Sequence, residues 1–235
     1  MSRYHFRPGL WPTLAATAGL AATLALGVWQ LGRGNEKNAL QAEFDARRRE
    51  PPIAAGAAEI DAQTVAGRAV VARGRYAPAY TIYIDNRLHR GVAGYHVVTP
   101  LKLDGSEMHL LVDRGWIGGG ARSAPPAVAT PEGSVEVRGT AVQPSTRFLE
   151  LSTRVAEGNV WQNLVIERYR QAVPIRVQPF VLQEESSAPD GLVREWPAPN
   201  AGADKNYAYA AQWFAMALAI VLLFVFLNLR RIHDA

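Results

Sequence analysis

Hydrophobic positions along this chain gather in two uninterrupted blocks, one near each end. Residues 10–31 and 207–229 contain no Asp, Glu, Lys or Arg. Each would cover roughly 30 Å as a helix, the thickness of a bilayer's hydrocarbon core. Pro12 falls in the first turn of the first block, where a missing N–H does little harm. The block is longer than the apolar stretch of a signal peptide, so it reads as an uncleaved anchor. Behind it, Leu40 and Phe44 are four apart among charged neighbours, which predicts a polar helix continuing the first span until Pro51-Pro52 stops it. The Arg47-Arg48-Arg49 run reads as a solvated face of that helix.

From residue 68 the period shortens to two. Alternation and β-branched content predict strands over 69–76, 80–85, 94–103, 108–117 and 134–142, with Asp104-Gly105 as a hairpin turn. Residues 118–131 read as a loop. Residues 163–172 have the spacing of a short helix, with Asn163 as its N-cap and Glu167 placed to pair with Arg168 or Arg170. Strands over 177–183 and 192–196 complete the body, and Pro179 puts the former at an edge or a strand start. The predicted fold is a membrane protein of the α+β class, with two transmembrane helices flanking one extracytoplasmic antiparallel β domain that carries one or two short helices. The predicted division is a tail (1–9), a span (10–31), a β-rich domain (32–206), a span (207–229) and a tail (230–235).

Charge changes the picture once it is located. The net charge of +4 would suit a nucleic-acid binder. Yet Arg3, Arg7, Arg230 and Arg231 stand against only Asp234 outside the spans, which leaves the body close to neutral. Basic residues at the ends of spans mark cytoplasmic flanks, and a long central segment is translocated whatever its charge. Both termini are therefore expected in the cytoplasm and the central domain in the periplasm of a bacterial inner (plasma) membrane, with no nucleic-acid partner. The chain has no cysteine, which excludes thiol-based metal or redox chemistry.

The candidate chemistry is sparse. His89, His96 and His109 fall on different strands without metal-ligand spacing. Asp85 and Asp113 would reach a common site if their strands pair, as a hydrolase would need; the alternative is that each ties down a turn or pairs with a neighbouring Arg. No nucleophile elbow or phosphate loop is present. An enzyme is not expected. The outer ends of the spans are richer. Trp29 and Arg33 share a helix face beside Gln30, while Tyr207, Tyr209, Gln212, Trp213 and Phe214 crowd the matching edge. An aromatic belt accounts for part of this pattern. The two glutamines call for partners across a helix pair, or for a pocket between the helices.

The order of several short motifs resembles a known family. Gly27-x-Trp29-Gln30-Leu31-x-Arg33 with Lys37, Asp85-Asn86-Arg87, Gly94-Tyr95-His96, Asp113-Arg114-Gly115-Trp116, Trp161-Gln162-Asn163 and Tyr209-Ala210-x-x-Trp213-Phe214 follow one another as in the Surfeit-locus (Surf/Shy) family of cytochrome c oxidase assembly factors. The resemblance covers about residues 24 to 220. It implies a non-enzymatic factor that serves the haem-bearing subunit of a haem–copper terminal oxidase, together with other oxidase assembly factors, and haem a as the cofactor that relatives bind and hand over. It further implies a cofactor region of Trp29, Arg33, Lys37, Asn206, Tyr207, Tyr209, Trp213 and Phe214, with the cations for propionates and the rings for the macrocycle. Haem-binding relatives carry a histidine seven residues before the motif tryptophan; here that position is Asn206, a poor iron ligand. Tyr207, Tyr209 and His96 are the remaining donors. A cofactor-free scaffolding protein of the inner membrane is the alternative.

Overall fold

The structure is a computed structural model that describes residues 4–119, 125–144, 156–197 and 202–231. The sequence-read loop over 118–131 therefore lies partly outside the described residues. In chain order the elements are β1 (Tyr4–Phe6), α1 (Leu10–Arg49), β2 (Ile53–Ala55), α2 (Ala62–Val65), β3 (Ala69–Tyr76), β4 (Ile82–His89), β5 (Val92–Leu103), β6 (Met108–Gly118) and β7 (Val135–Val142). They continue as β8 (Ala156–Glu157), β9 (Val160–Trp161), α3 (Ile166–Ala172), β10 (Arg176–Glu184), α4 (Ala203–Asn228) and β11 (Leu229–Arg231). These elements form two compact units, one of Met1–Glu43 with Pro197–Ala235 and the other of Phe44–Trp196.

The first unit is an antiparallel helix pair, and α1 and α4 are both long and apolar enough to cross a membrane. Small residues make the pairing close. Thr23, Gly27 and Gly34 are buried on α1, against Ala203, Ala210 and Ala217 at seven-residue spacing on α4. A Cβ on Gly27 would fall 2.6 Å from the Phe214 ring, and one on Gly34 would fall 2.9 Å from the Tyr207 ring. Glycine is therefore required where these rings cross α1. Large apolar side chains such as Trp11, Leu14, Leu218, Leu222 and Phe226 are exposed on the outer faces, as lipid contact demands. At the far end β1 and β11 pair, with Tyr4 opposite Arg231.

The second unit is β-rich, as predicted. β3 pairs with both β7 and β5. Together with the β7–β10, β10–β6 and β6–β5 pairings, this closes five strands into a barrel. Its interior is filled by alternate residues, among them Val70 and Ala72 of β3, Leu101 and Leu103 of β5, Leu110 and Val112 of β6, Val137 of β7, and Phe180 and Leu182 of β10. A second core, including Ile82, Ile84, Val98, Trp161 and Val181, lies under α3, whose Ile166 and Tyr169 complete it.

Several local expectations are corrected. Antiparallel pairs dominate, but β10–β6, β2–β3 and β4–β9 are parallel. β4 begins at Ile82 because Pro78–Tyr80 forms a 3₁₀ turn, and it runs on to His89. Pro179 lies inside the barrel rather than at an edge. It falls in the register break between Val177 and Val181 and precedes the pairing with β7, so its missing N–H removes no ladder bond. Asn163 is not the N-cap of α3, a position that Val165 takes; its side chain accepts a hydrogen bond from Arg87 instead. Arg170 pairs with Glu59. Residues 192–196 make only an isolated bridge, Val193 to Trp116. Arg47 and Arg48 are not simply solvated, since Arg47 donates to the Ala66 carbonyl and Arg48 pairs with Glu185.

Candidate functional site

At the polar end of the helix pair, four of the eight sequence-selected residues hold the helices together. Lys37 Nζ donates to Asn206 Oδ1 at 2.9 Å, and Asn206 Nδ2 donates to Gln30 Oε1 at 2.7 Å. The Tyr207 hydroxyl donates to Asn35 Oδ1 and accepts from Asn38 Nδ2, each at 2.9 Å. The Phe214 ring lies over Gly27. Polar partners of this kind fix helix register where lipid offers no alternative partner. Sequence reasoning singled out Gln30 but missed Asn35 and Asn38. Their spacing of three beside Gly34 puts them on one face and was the available signal.

The others face outward. Trp29 is 58% exposed and Tyr209 51% exposed, Trp213 is half-buried, and Arg33 makes only an exposed pair with Glu36. Gln212 is exposed and has no cross-pair hydrogen bond among the described residues, whereas Gln30 has one.

The donors at this edge do not fit an axially ligated haem iron. Both amide atoms of Asn206 are committed, one to a cation and one to Gln30, and Tyr207 bridges two asparagines. Lys37 is turned to Asn206. No imidazole lies among the described residues at this end of the pair, since His5 belongs to β1.

In the β-rich unit, motifs far apart in sequence converge on Arg87. Asn86 has φ 57° at the irregularity between Ile84 and Arg87, a left-handed conformation that asparagine tolerates. Asp85 Oδ1 accepts from the Asn86 N–H. Beyond this bulge Arg87 donates to the Gln162 carbonyl at 3.0 Å and to Asn163 Oδ1 at 3.1 Å, and its own carbonyl accepts from Trp116 Nε1 at 2.8 Å. Burial lowers the Arg87 pKa, opposed by the Asp113 and Asp85 charges. Gly94 is glycine because a Cβ there would strike the Ile117 carbonyl oxygen and the Trp116 ring. His96 Nδ1 is 2.8 Å from Asp113 Oδ2, and the Trp196 ring leans on the imidazole. Asp113 is held further by the Gly115 N–H. Both carboxylates are thus engaged, Asp85 in a turn contact and Asp113 with His96 and the Gly115 N–H.

A buried ion cluster adjoins Tyr76. Arg114 is 1% exposed; it pairs with Asp190 at 3.0 Å, donates to the Ala129 carbonyl and Thr130 Oγ1, and stacks on Tyr76. Asp190 also takes both terminal nitrogens of Arg194, which in turn reaches Glu184. Burial alone would raise the Asp190 pKa, but the Arg194 and Leu192 hydrogen bonds and two guanidinium charges hold it below the ordinary value. Burial pushes Glu184 up against the pull of Arg194. Gly115, at φ 132°, lets the 190–196 segment approach, since a Cβ there would fall 2.7 Å from the Val193 carbonyl oxygen. The motif residue Arg114 is therefore a structural tie between β6 and this strap.

The SURF1 family model matches residues 18–218. A SURF1-like protein of Rickettsia felis is 26% identical over 208 residues, which is 86% of this chain and 90% of that protein. A SURF1-like protein of Rickettsia conorii is 26% identical over 208 residues, covering 86% of this chain and 85% of its own.

Proposed function

The chain belongs to the SURF1 family, whose members are cytochrome oxidase assembly factors, and from that premise we propose that it binds the nascent haem-bearing subunit of a haem–copper oxidase in a bacterial plasma membrane. In this reading both termini are cytoplasmic and residues 32–206 are periplasmic. The basic ends and the β1–β11 pairing that joins them support this topology.

The observation that carries the proposal is the division of labour at the helix edge. Lys37, Asn206, Tyr207 and Phe214 are used to hold the pair, whereas Trp29, Arg33 and Tyr209 are left outward. Outward aromatic and arginine side chains are the residue types that anchor protein interfaces. The action is docking, with no catalytic step. Trp29→Ala combined with Tyr209→Ala is expected to leave the helix pair intact and abolish co-purification with the oxidase subunit. Deletion of the protein is expected to lower oxidase activity, and full activity with normal haem a spectra in a deletion strain would sink the proposal.

A cofactor-free role is favoured by the engaged amide of Asn206. Protein purified from a host that makes haem a is then expected to show no Soret band, whereas Asn206→His gains one. The finer alternative is presentation of haem a by the wild-type chain, for which a wild-type Soret band is the evidence required.

A further inference from the structure

Among the described residues of Phe44–Trp196, only two large hydrophobic side chains are exposed, Leu88 at 72% and Val92 at 56%. Both stand at the tip of the β4–β5 hairpin. The register pairs Leu88 with Ala93 and His89 with Val92, so the two side chains leave opposite faces of a two-residue turn made by Arg90 and Gly91. Both turn residues have positive φ, 49° and 81°. Asparagine or glycine meets that geometry with less strain than arginine, yet the first position is Arg90, whose side chain is 74% exposed. The tip thus shows apolar side chains on both faces with a cation between them, although every other large apolar side chain among the described residues of this unit is at least partly covered.

We propose that the β4–β5 tip dips into the phospholipid headgroup layer, with Leu88 and Val92 at the headgroup–acyl boundary and Arg90 on lipid phosphate. This rests on the reading that α1 and α4 cross the membrane. Apolar side chains flanked by cations are the signature of shallow interfacial insertion, and the cation complements phosphate and anionic headgroups. The interface is wet enough to hydrate the turn's unpaired backbone groups, which the hydrocarbon core is not. Chain connectivity keeps lipid within reach. Glu195 pairs with Arg90 at 2.7 Å and stands eight residues before Ala203, where α4 begins, a reach of at most about 29 Å of extended chain. The Arg90–Glu195 pair is exposed, and such pairs are weak enough to exchange for phosphate.

The absence of cysteine permits a clean test on the full chain. Single variants Leu88→Cys, Val92→Cys, Leu222→Cys and Glu107→Cys are labelled with bimane and reconstituted into vesicles of phosphatidylethanolamine and phosphatidylglycerol. Emission is compared with and without spin-labelled phosphatidylcholine. Leu222 is exposed on α4, and Glu107 stands at the opposite end of β5 from the tip. The expected result is loss of emission at 88, 92 and 222 and none at 107. Quenching at 222 alone overturns the proposal and leaves the membrane reading intact. The same holds for a label at 88 that is shielded only when an oxidase subunit co-purifies, because the tip would then be a protein-docking element. Absence of quenching at all four positions overturns both readings.

Discussion

Asp190→Asn tests whether the buried ion cluster holds the strap to the β-rich unit. The Asp190 side chain is 4% exposed; its carboxylate accepts from Arg114, from two nitrogens of Arg194 and from the Leu192 N–H. Asparagine keeps the shape but removes the charge, and its NH₂ group faces guanidinium donors. Removing one partner of a buried pair costs about 3–5 kcal/mol, because the remaining charge is left in a poorly solvated place. Arg114 keeps the Ala129 carbonyl and Thr130, and Arg194 keeps Glu184, so the lower part of that range is expected. For a unit of this size each kcal/mol moves the unfolding midpoint by about 2–4 °C, which gives a fall of about 6–12 °C. The assay is thermal unfolding in detergent, followed by tryptophan fluorescence. Trp196 donates to the Glu184 carbonyl and Trp116 bridges to Val193, so both report the strap directly. A midpoint within about 2 °C of wild type, corresponding to less than about 1 kcal/mol, would refute the reasoning.

The same cluster predicts opposite pH signatures. Asp190 has its folded pKa depressed, so its stabilisation is present above the ordinary value of 3.8 and is lost as pH falls through the lower folded value. Asp190→Asn should therefore flatten the acid limb of midpoint against pH. Glu184 has its pKa raised by burial, so the folded state binds the proton more tightly, and stability rises as pH falls from the folded value toward 4.5. Glu184→Gln should remove that slope and cost less than Asp190→Asn at neutral pH; identical pH profiles for both variants would contradict the assignment. In the helix pair, Gly27→Leu drives a side chain into the Phe214 ring and should separate α1 from α4, read as loss of a disulfide between cysteines introduced across the pair. Cross-linking at the wild-type level would show that the contact does not hold the pair.

Patterning reached far into this protein where a local period carried the information. The two apolar blocks, the strands at Ala69–Tyr76 and Met108–Gly118 and the run of α1 to Arg49 were legible because burial of one face imposes a period of 2 or 3.6, and Pro51-Pro52 marks the stop. Irregular segments were less legible. The 192–196 stretch has strand composition, yet its backbone meets β6 only through Val193, because Arg194 and Trp196 are drawn to Glu184. Pro179 signalled an edge by its missing N–H, but a register break serves the same need inside a barrel.

At the candidate site the residue types were readable and their roles were not. Lys37, Asn206 and Tyr207 fell within the candidate cofactor region, while their hydrogen-bond partners lie some 170 positions away along the chain. The seven-residue spacing of Ala203, Ala210 and Ala217 gave α4 a contact face, but a donor's partner is chosen by the helix that packs against it. By itself the sequence determined two membrane-length helices, most strands of a β-rich unit and a family. Only the tertiary structure decided barrel closure through β3 and β5, the burial of Arg114 against Asp190, and which edge residues turn inward. Periodicity is a property of neighbours in the chain, whereas charges and hydrogen-bond donors are satisfied by neighbours in space.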